Sequence, residues 1–226
     1  MSTILANVQI APGIHEMLVL APRIAAKAQP GQFVIVMAHQ RGERIPLTIA
    51  DFDRTGGTIT LVVMAVGASS HLLTRIKPGG AFYALSGPLG NPSEIGDFGT
   101  VVMVAGGMGA APIYPIARAY KQQGTRVLVI QGARSSQLLL WSERLASVSD
   151  RHIITTDDGS AGRRGLVTDA LGELLRNGEP GRVDCVYAIG PAMMMKCCAE
   201  TTRPFGVHTI VSLNSIMIDG TGMCGG

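Results

Sequence analysis

The sequence predicts two domains, an antiparallel β barrel followed by an α/β domain with a doubly wound parallel sheet. The first hundred residues alternate short apolar runs with turns rich in Pro and Gly, which is typical of a small barrel or sandwich. From Thr100 onward apolar strands alternate with helices, as in a parallel sheet. The Gly- and Pro-rich segment Gly87–Gly99 separates the two patterns. We therefore expect a barrel domain over residues 1–98 and an α/β domain over residues 99–210, followed by a short segment over 211–226.

The barrel domain is predicted from short strands bounded by turn residues. Groups such as Gln29-Pro30-Gly31 and Lys77-Pro78-Gly79-Gly80 punctuate the apolar runs, because Pro presets a turn and Gly accepts positive φ. A short helix is expected at Ser69–Arg75. The predicted strands are Ile4–Ile10, Glu16–Leu20, Phe33–Met37, Ile45–Ile49, Thr58–Val66 and Ala81–Ser86.

The α/β domain begins with Thr100–Ala105, a continuous apolar run typical of a strand that is buried on both faces. Short loops then separate alternating helices and strands, which indicates parallel pairing with crossover helices. The predicted helices are Ala111–Gln123, Gln137–Leu145, Leu166–Arg176 and Met193–Thr201. The further predicted strands are Arg126–Ile130, His152–Thr156, Cys185–Ile189 and Val207–Leu213.

Composition excludes several classes of protein. The net charge is only +3, aromatic residues make up 4% of the chain, and basic residues form no tract, so nucleic-acid binding is not expected. No apolar run approaches the roughly 20 residues that a membrane-spanning helix needs, so no membrane span is predicted. The N-terminus lacks the pattern of a signal peptide. Four cysteines are too few for a disulfide scaffold, which favours a reducing cytoplasm.

A glycine-rich loop joins the first strand of the α/β domain to its helix. It reads Gly106-Gly107-Met108-Gly109 and is followed by Ala110-Ala111-Pro112. Small residues let a phosphate reach the free N–H groups of a helix N-terminus, where the helix dipole also stabilises negative charge. Ala111-Pro112 replaces the third glycine of the usual dinucleotide fingerprint, so the loop alone also fits an ordinary turn. Its place within a βαβ unit favours nucleotide binding.

Three further loops fall at the same predicted edge of the sheet, where α/β domains bind their ligands. Arg134 follows one strand and is suited to an adenine or a ribose phosphate. Asp157 and Asp158 follow another strand, and their carboxylates are suited to ribose hydroxyls. Gly190-Pro191 follows a third strand, where a backbone turn can line a nicotinamide. Each loop alone is typical of an ordinary turn, but together they predict a site.

The barrel domain carries two candidate sites of its own. Arg44, Pro46 and Thr48 share one face of a predicted strand, and we expect this set to point inward, toward a pyrophosphate and a flavin ring. A surface Arg on an edge strand is the competing interpretation. Gly67-Ala68-Ser69-Ser70 leads into the predicted short helix, so its hydroxyl and N–H groups fit either a phosphate or a simple helix cap.

The last residues form a glycine-rich loop that contains a cysteine, reading Asp219-Gly220-Thr221-Gly222-Met223-Cys224-Gly225-Gly226. Such loops commonly hold iron–sulfur clusters, because thiolates bind iron and small residues let the backbone approach the sulfides. A cluster needs about four ligands, and this loop offers one thiolate and a carboxylate. The loop therefore offers only part of a cluster site, through Cys224 and the carboxylate of Asp219.

These motifs, in this order, resemble the ferredoxin–NADP reductase superfamily along essentially the whole chain. Within it, the C-terminal segment is similar to the electron-transfer subunits of ferredoxin:NADP oxidoreductase, also called sulfide dehydrogenase, in which an Asp stands where dihydroorotate-type subunits have a first Cys. The resemblance implies FAD in the barrel, NAD(H) or NADP(H) in the α/β domain and, in the intact protein only, a [2Fe–2S] cluster with Asp219 and Cys224 among its ligands. It also implies a partner subunit carrying flavin or iron–sulfur groups, and ferredoxin as a further partner.

The resemblance also implies the roles of individual residues. Arg44 would neutralise the FAD pyrophosphate, Thr48 would hydrogen-bond near the redox nitrogen of the ring, and Ser69 with Ser70 would complete the phosphate clamp. No side chain is implied as a catalytic acid or base. Further flavin contacts are expected at Pro46, Leu47, Met64, Val66 and Gly67, and further nucleotide contacts at Gly106, Gly107, Met108, Gly109, Arg134, Asp157, Asp158, Gly190 and Pro191.

Three alternatives stay open at this point. The chain also fits the electron-transfer subunit of dihydroorotate dehydrogenase, or the diaphorase subunit of a hydrogenase or sulfur reductase, which differ from the first reading in their partner. It also fits a non-catalytic nucleotide-binding module of the same fold. The nucleotide is equally open, since Arg134 favours the 2′-phosphate of NADPH, whereas Asp157 and Asp158 disfavour it and the resemblance leans to NAD(H).

Overall fold

The computed structural model describes residues 2–178, 181–213 and 217. The chain divides into two compact units, the first reaching Ser93 and the second running from Glu94 to Leu213. Each unit has its own core.

The first unit is a six-stranded antiparallel sheet in the order β1-β2-β5-β4-β3-β6. The sheet curls into a barrel, because the segment before β6 returns to β1. Ile4 N donates to Gly80 O and Gly79 N donates to Ile4 O, both at 2.8 Å. The apolar residues of alternate strand positions, including Ile4, Met17 and Leu61, are fully buried inside. The strands are β1 (Thr3–Ala11), β2 (Ile14–Leu20), β3 (Phe33–Met37), β4 (Ile45–Asp53), β5 (Thr58–Met64) and β6 (Ala84–Leu89).

Two short helices accompany the barrel. Helix α1 (Pro22–Ala25) was not predicted, whereas α2 (Ala68–Thr74) lies within one residue of the prediction. The C-terminal end of α2 is held by Asn7 on β1, whose Nδ2 donates to Thr74 O at 2.9 Å and to Ile76 O at 2.8 Å. Since the amide nitrogen makes both of these bonds, the remaining polar atom, Asn7 Oδ1, accepts a hydrogen bond from His15 Nδ1 at 2.9 Å.

The second unit is a parallel six-stranded sheet in the order β10-β9-β8-β7-β11-β12. From β7 the chain adds strands outward on one side and then crosses back, placing β11 on the other side of β7. Its strands are β7 (Thr100–Gly106), β8 (Arg126–Ala133), β9 (Arg151–Thr156), β10 (Arg163–Arg164), β11 (Cys185–Ile189) and β12 (His208–Val211). Its helices are α3 (Ala110–Gln122), α4 (Ser142–Ser147), α5 (Val167–Asn177) and α6 (Ala192–Thr202).

Helices cover both faces of this sheet. Val102, Leu128 and Val186 form one buried cluster with α5 and α6. Side chains alternate along a strand, so the neighbouring buried residues, such as Met103, face the other side, where α3 packs against β7, β8 and β11. The fold class is therefore confirmed as an antiparallel barrel followed by a doubly wound parallel α/β domain.

One predicted helix is wrong. Gln137–Leu145 is interrupted: a single 3₁₀ turn at Ser136–Leu138 is followed by extended residues, and α4 begins only at Ser142. Trp141, at the break, has φ 56°, a left-handed conformation that no continuous helix contains. No helix in the described part of the chain is long and apolar enough to cross a membrane.

Candidate functional site

The carboxyl ends of β7 and β11 lie side by side at the point where the order of strands reverses. In open α/β sheets ligands bind in the crevice at this switch point. Gly106 is the last residue of β7, and Gly190 directly follows β11. A larger residue at either position would crowd its neighbours, because a methyl group at Gly190 would lie 3.1 Å from the Cα of Gly106, and one at Gly106 would lie 2.3 Å from Met194 Sδ. Glycine at both positions therefore lets the two strand ends and the Met194 side chain pack closely at the base of this crevice.

The glycine loop that follows β7 is shaped by two different constraints. Gly107 has φ 52°, which favours glycine, and a methyl group there would meet nothing within 4 Å. Gly109 has ordinary helical angles, but a methyl group there would lie 1.9 Å from Ile189 O. The open space at Gly107 fits a ligand at the start of α3, whereas glycine at Gly109 lets α3 pack closely against the end of β11.

The loops after β8 and β9 are joined by backbone hydrogen bonds. Asp157 N donates to Ala133 O at 3.1 Å, and Asp158 N donates to Arg134 O at 3.3 Å. The Asp158 carboxylate accepts hydrogen bonds from the N–H and the hydroxyl of Ser160, and these bonds lower its pKa below the usual Asp value. Three of the predicted nucleotide residues are thus brought together, all exposed: Arg134, Asp157 and Asp158.

A buried amide next to these loops was missed by the sequence reasoning. Gln131, the sixth residue of β8, is 1% exposed and bonds to Leu140, Ser142 and His152. Burial lowers the pKa of His152 below the usual His value. The sequence did contain a signal for it: Gln131 directly follows the apolar run Val127–Ile130, and an amide buried in such a strand needs hydrogen-bond partners.

Side chains of the candidate flavin strand alternate between its two faces as predicted, but the face that points into the barrel is the opposite of the one expected. Ile45 and Leu47 pack against the barrel core, so the set of Arg44, Pro46 and Thr48 faces away from it, and the expected inward orientation is wrong. The reason is that the interior of a small barrel is filled by apolar side chains. Arg44 is exposed and forms no ion pair with any residue that the structure describes, so its guanidinium fits an anionic group.

The turn into α2 uses its hydroxyls locally. Ser70 Oγ accepts hydrogen bonds from Val66 N and Gly67 N, each at 2.9 Å, and donates one to Gly67 O at 3.0 Å. Ser69 Oγ donates to the Glu43 carboxylate. Both hydroxyls therefore have partners within the barrel unit, while the backbone at Gly67 is open, with nothing within 4 Å of a methyl group built there.

The remaining predictions concern cluster ligands and reactive groups. Asp219 and Cys224 lie outside the described residues. Among those that are described, no group of three or more His, Cys, Asp or Glu side chains is arranged to hold a metal ion. Burial raises the pKa of the Cys185 and Cys198 thiols to about 12, so both are protonated at neutral pH and poor nucleophiles.

Comparison with known proteins places this geometry in a family. Residues 103–200 match the family described as the oxidoreductase NAD-binding domain. A dihydroorotate dehydrogenase B (NAD(+)) electron transfer subunit homolog of Thermotoga maritima is 44% identical over 225 residues, covering 100% of this chain and 78% of the relative. The chain belongs to this family of electron transfer subunits, within the ferredoxin–NADP reductase superfamily. The corresponding subunit of Enterococcus faecalis is 30% identical, with 99% of this chain and 85% of the relative covered.

Solved structures support membership of the ferredoxin–NADP reductase superfamily. A structure of the NADH-dependent reduced ferredoxin–NADP oxidoreductase superposes with a TM-score of 0.92 at 43% identity, covering 100% of this chain and 80% of that one. A ferredoxin NADP+ reductase from Neisseria gonorrhoeae has a TM-score of 0.74 at 18% identity, over 93% of this chain and 96% of that one, and shows the shared fold alone.

Proposed function

We propose that this chain is the electron-transfer subunit of an FAD-dependent NAD(P)H oxidoreductase of the ferredoxin:NADP oxidoreductase, or sulfide dehydrogenase, type. Its task is to pass reducing equivalents between NAD(P)H and an iron–sulfur partner. The α/β unit holds the dinucleotide and the barrel holds FAD. When bound, FAD supplies the exchange between two-electron and one-electron chemistry that side chains lack.

The switch-point crevice is the observation that carries the proposal. Gly106, Gly109 and Gly190 let the ends of β7 and β11 and the start of α3 pack closely at one edge of the sheet. The open space at Gly107 would admit a pyrophosphate to the free N–H groups of the helix N-terminus, and the nicotinamide would lie along the adjoining strand ends. The chain supplies position and electrostatics, and no acid or base is required.

Arg44 and Thr48 are the residues that we assign to FAD in the barrel. The exposed Arg44 guanidinium would donate paired hydrogen bonds to the pyrophosphate, and the Thr48 hydroxyl on the same face would orient the ring. The open backbone at Gly67 would admit a phosphate oxygen. Pro46 lies between Arg44 and Thr48 on this face, which limits the freedom of the strand.

The partner and the compartment follow from the same reasoning. Relatives named as electron transfer subunits support transfer to a catalytic partner that carries flavin or iron–sulfur groups. Cys185, Cys197 and Cys198 are free thiols, which supports a reducing cytoplasm. We assign NAD(H) as the nucleotide, because the exposed Asp157 would repel a 2′-phosphate.

A second function is favoured by one specific observation. Several relatives at about 30% identity are named as dihydroorotate dehydrogenase B subunits, so transfer to a dihydroorotate-oxidising partner is the alternative. Copurification of the intact complex, followed by assay with dihydroorotate and with ferredoxin as separate partners, decides between the two.

The proposal is tested by flavin content. The double variant Arg44→Ala/Thr48→Ala should bind FAD at least about tenfold more weakly and purify with little yellow colour, since it loses hydrogen bonds to a charged group worth ~1.5–3 kcal/mol each. The matched control, Arg23→Ala/Thr55→Ala, removes an exposed Arg and Thr of the same unit and should keep the wild-type flavin content.

The outcomes are read from absorbance spectra before and after NADH. Flavin bands that NADH bleaches in the wild type and that are missing in the Arg44→Ala/Thr48→Ala protein support the proposal. A colourless wild-type protein that cannot be reconstituted with FAD would show a non-catalytic module instead. Unchanged flavin content in the double variant would refute the assignment of Arg44 and Thr48.

A further inference from the structure

The carboxamide of Gln131 is buried and both its nitrogen and its oxygen are hydrogen-bonded. Nε2 donates to Leu140 O at 2.6 Å, and Oε1 lies 2.9 Å from Ser142 Oγ and 3.1 Å from His152 Nε2. An amide oxygen only accepts, so Ser142 and His152 are the donors and the proton of the neutral imidazole is on Nε2. One side chain therefore ties β8 and β9 to the region where α4 begins.

These bonds bracket the strained residue Trp141. Leu140 precedes it and Ser142 follows it, and both are held by the same amide. Trp141 is the one described residue other than glycine with positive φ, at 56°. A bulky residue adopts this conformation only where its surroundings impose it. The Gln131 amide bonds to both neighbours and so contributes to that constraint.

Trp141 also packs against α3. Its ring meets the Tyr114 ring edge-on, with centroids 5.5 Å apart and planes at 78°. The Arg144 guanidinium covers the Trp141 ring at 4.3 Å from its centroid. Tyr114 lies just over one turn into α3, the helix that begins at the glycine loop. The end of the loop is therefore packed against the proposed pyrophosphate helix.

The segment between β8 and α4, residues 134–141, is called the nucleotide loop below. Its other end is fixed by the loop after β9, because Ser136 N donates to Ser160 Oγ at 2.7 Å and Asp158 N donates to Arg134 O. The nucleotide loop is thus fastened at both ends, by Ser160 near its start and by Gln131 at its finish. Arg134 is presented from a loop whose path is set by these two points.

We propose that Gln131 is a positioning residue for the dinucleotide. It holds the C-terminal end of the nucleotide loop against α3, through Leu140, Ser142 and the strained Trp141, and so limits the path of the loop that carries Arg134. This inference rests on the proposed function of the α/β unit and adds a buried residue that touches no ligand. Gln131 acts on binding of the nucleotide and has no part in the chemistry that follows.

The test uses the flavin-loaded protein and the variant Gln131→Leu, which keeps the bulk of the side chain and removes its hydrogen bonds. Trp141 is the single tryptophan of the chain, so its fluorescence reports on the nucleotide loop directly. We expect red-shifted emission and stronger acrylamide quenching without any nucleotide. With ferricyanide as acceptor, KM for NADH should rise about tenfold, because the binding-competent loop becomes a minor state, while kcat stays at the wild-type value.

The control is Gln123→Leu, the same substitution at an exposed glutamine that follows α3 and bonds to Gly96 O. It should change neither Trp141 emission nor KM for NADH. Ser142→Ala removes only one donor to Gln131, so it should fold if Gln131→Leu does not. It should then shift emission and KM in the same direction by smaller amounts.

Each outcome decides the proposal. Unchanged Trp141 emission in both Gln131→Leu and Ser142→Ala overturns it, and so does a shifted emission with unchanged KM. A fall in kcat at constant KM contradicts a role confined to binding. If the wild-type protein itself fails to oxidise NADH, the proposed function fails. The emission of Trp141 then still decides whether Gln131 holds the loop.

Discussion

The substitution Gly109→Ala separates a steric requirement for glycine from a conformational one. Gly109 has φ −61° and ψ −15°, angles that alanine adopts freely. Alanine also reduces the conformational entropy of the unfolded chain, and this effect alone would raise the free energy of unfolding by ~0.4–1 kcal/mol. The new methyl group, however, would lie 1.9 Å from Ile189 O and 2.5 Å from its carbonyl carbon. These are backbone atoms at the end of β11, which cannot rotate away as a side chain can.

The expected cost follows from these two effects. Overpacking typically costs ~1–3 kcal/mol, and a clash with backbone belongs at the upper end, so the net loss of unfolding free energy is ~2 kcal/mol. For a domain of this size that corresponds to a fall in Tm of roughly 8 °C. Because Ile189 and Gly190 must move, KM for NADH should rise as well.

The assay is thermal unfolding followed by circular dichroism, with Gly107→Ala as the matched comparison. Gly107 has φ 52° and open space around it, so alanine there carries only the left-handed strain of ~1–2 kcal/mol, partly offset by the stiffer unfolded chain. Gly109→Ala should therefore be the less stable of the two. A wild-type Tm for Gly109→Ala, or a lower Tm for Gly107→Ala, would refute the steric reasoning.

Two further predictions concern hydrogen-bonded side chains. Asn7→Leu removes both hydrogen bonds to the end of α2 and should lower the free energy of unfolding of the barrel by ~2 kcal/mol. Urea unfolding followed by flavin fluorescence measures this change, and Gln9→Leu, at an exposed position of the same strand, should leave it unchanged. Burial lowers the folded-state pKa of His152 below 6.5, so the unfolded chain binds its proton first as the pH falls. Unfolding free energy should therefore decline below about pH 6.5, and His152→Gln should reduce that decline; identical pH profiles for both proteins would contradict the assignment.

Much of the fold was accessible from the sequence because it depends on local patterns. Apolar alternation and continuous apolar runs predicted the type of nearly every strand, and β3 and β11 match to the residue. The rule that ligands bind at carboxyl strand ends drew attention to Gly106 and Gly190, and the structure sets these two side by side.

What escaped prediction depends on contacts that no local pattern reveals. The helix expected at Gln137–Leu145 is interrupted at the left-handed Trp141, and Leu140 O accepts its hydrogen bond from the Gln131 side chain on β8. The outward face of Arg44 depends on how the barrel closes. Likewise, the partner of Ser69 is Glu43, a residue 26 positions earlier that no local pattern links to it.

The closure of the barrel through Gly79 and Gly80 also determines when this unit can fold during synthesis. Strand β1 pairs with β2 early, but its other edge bonds to residues almost eighty positions later. At about 5–20 residues per second, a ribosome needs several seconds to make that stretch. During this time the outer edge of β1, with the exposed Leu5 and Val8 nearby, is open to pairing with other chains. The newly made N-terminal strand therefore keeps one unpaired edge until residues 79–81 have been made.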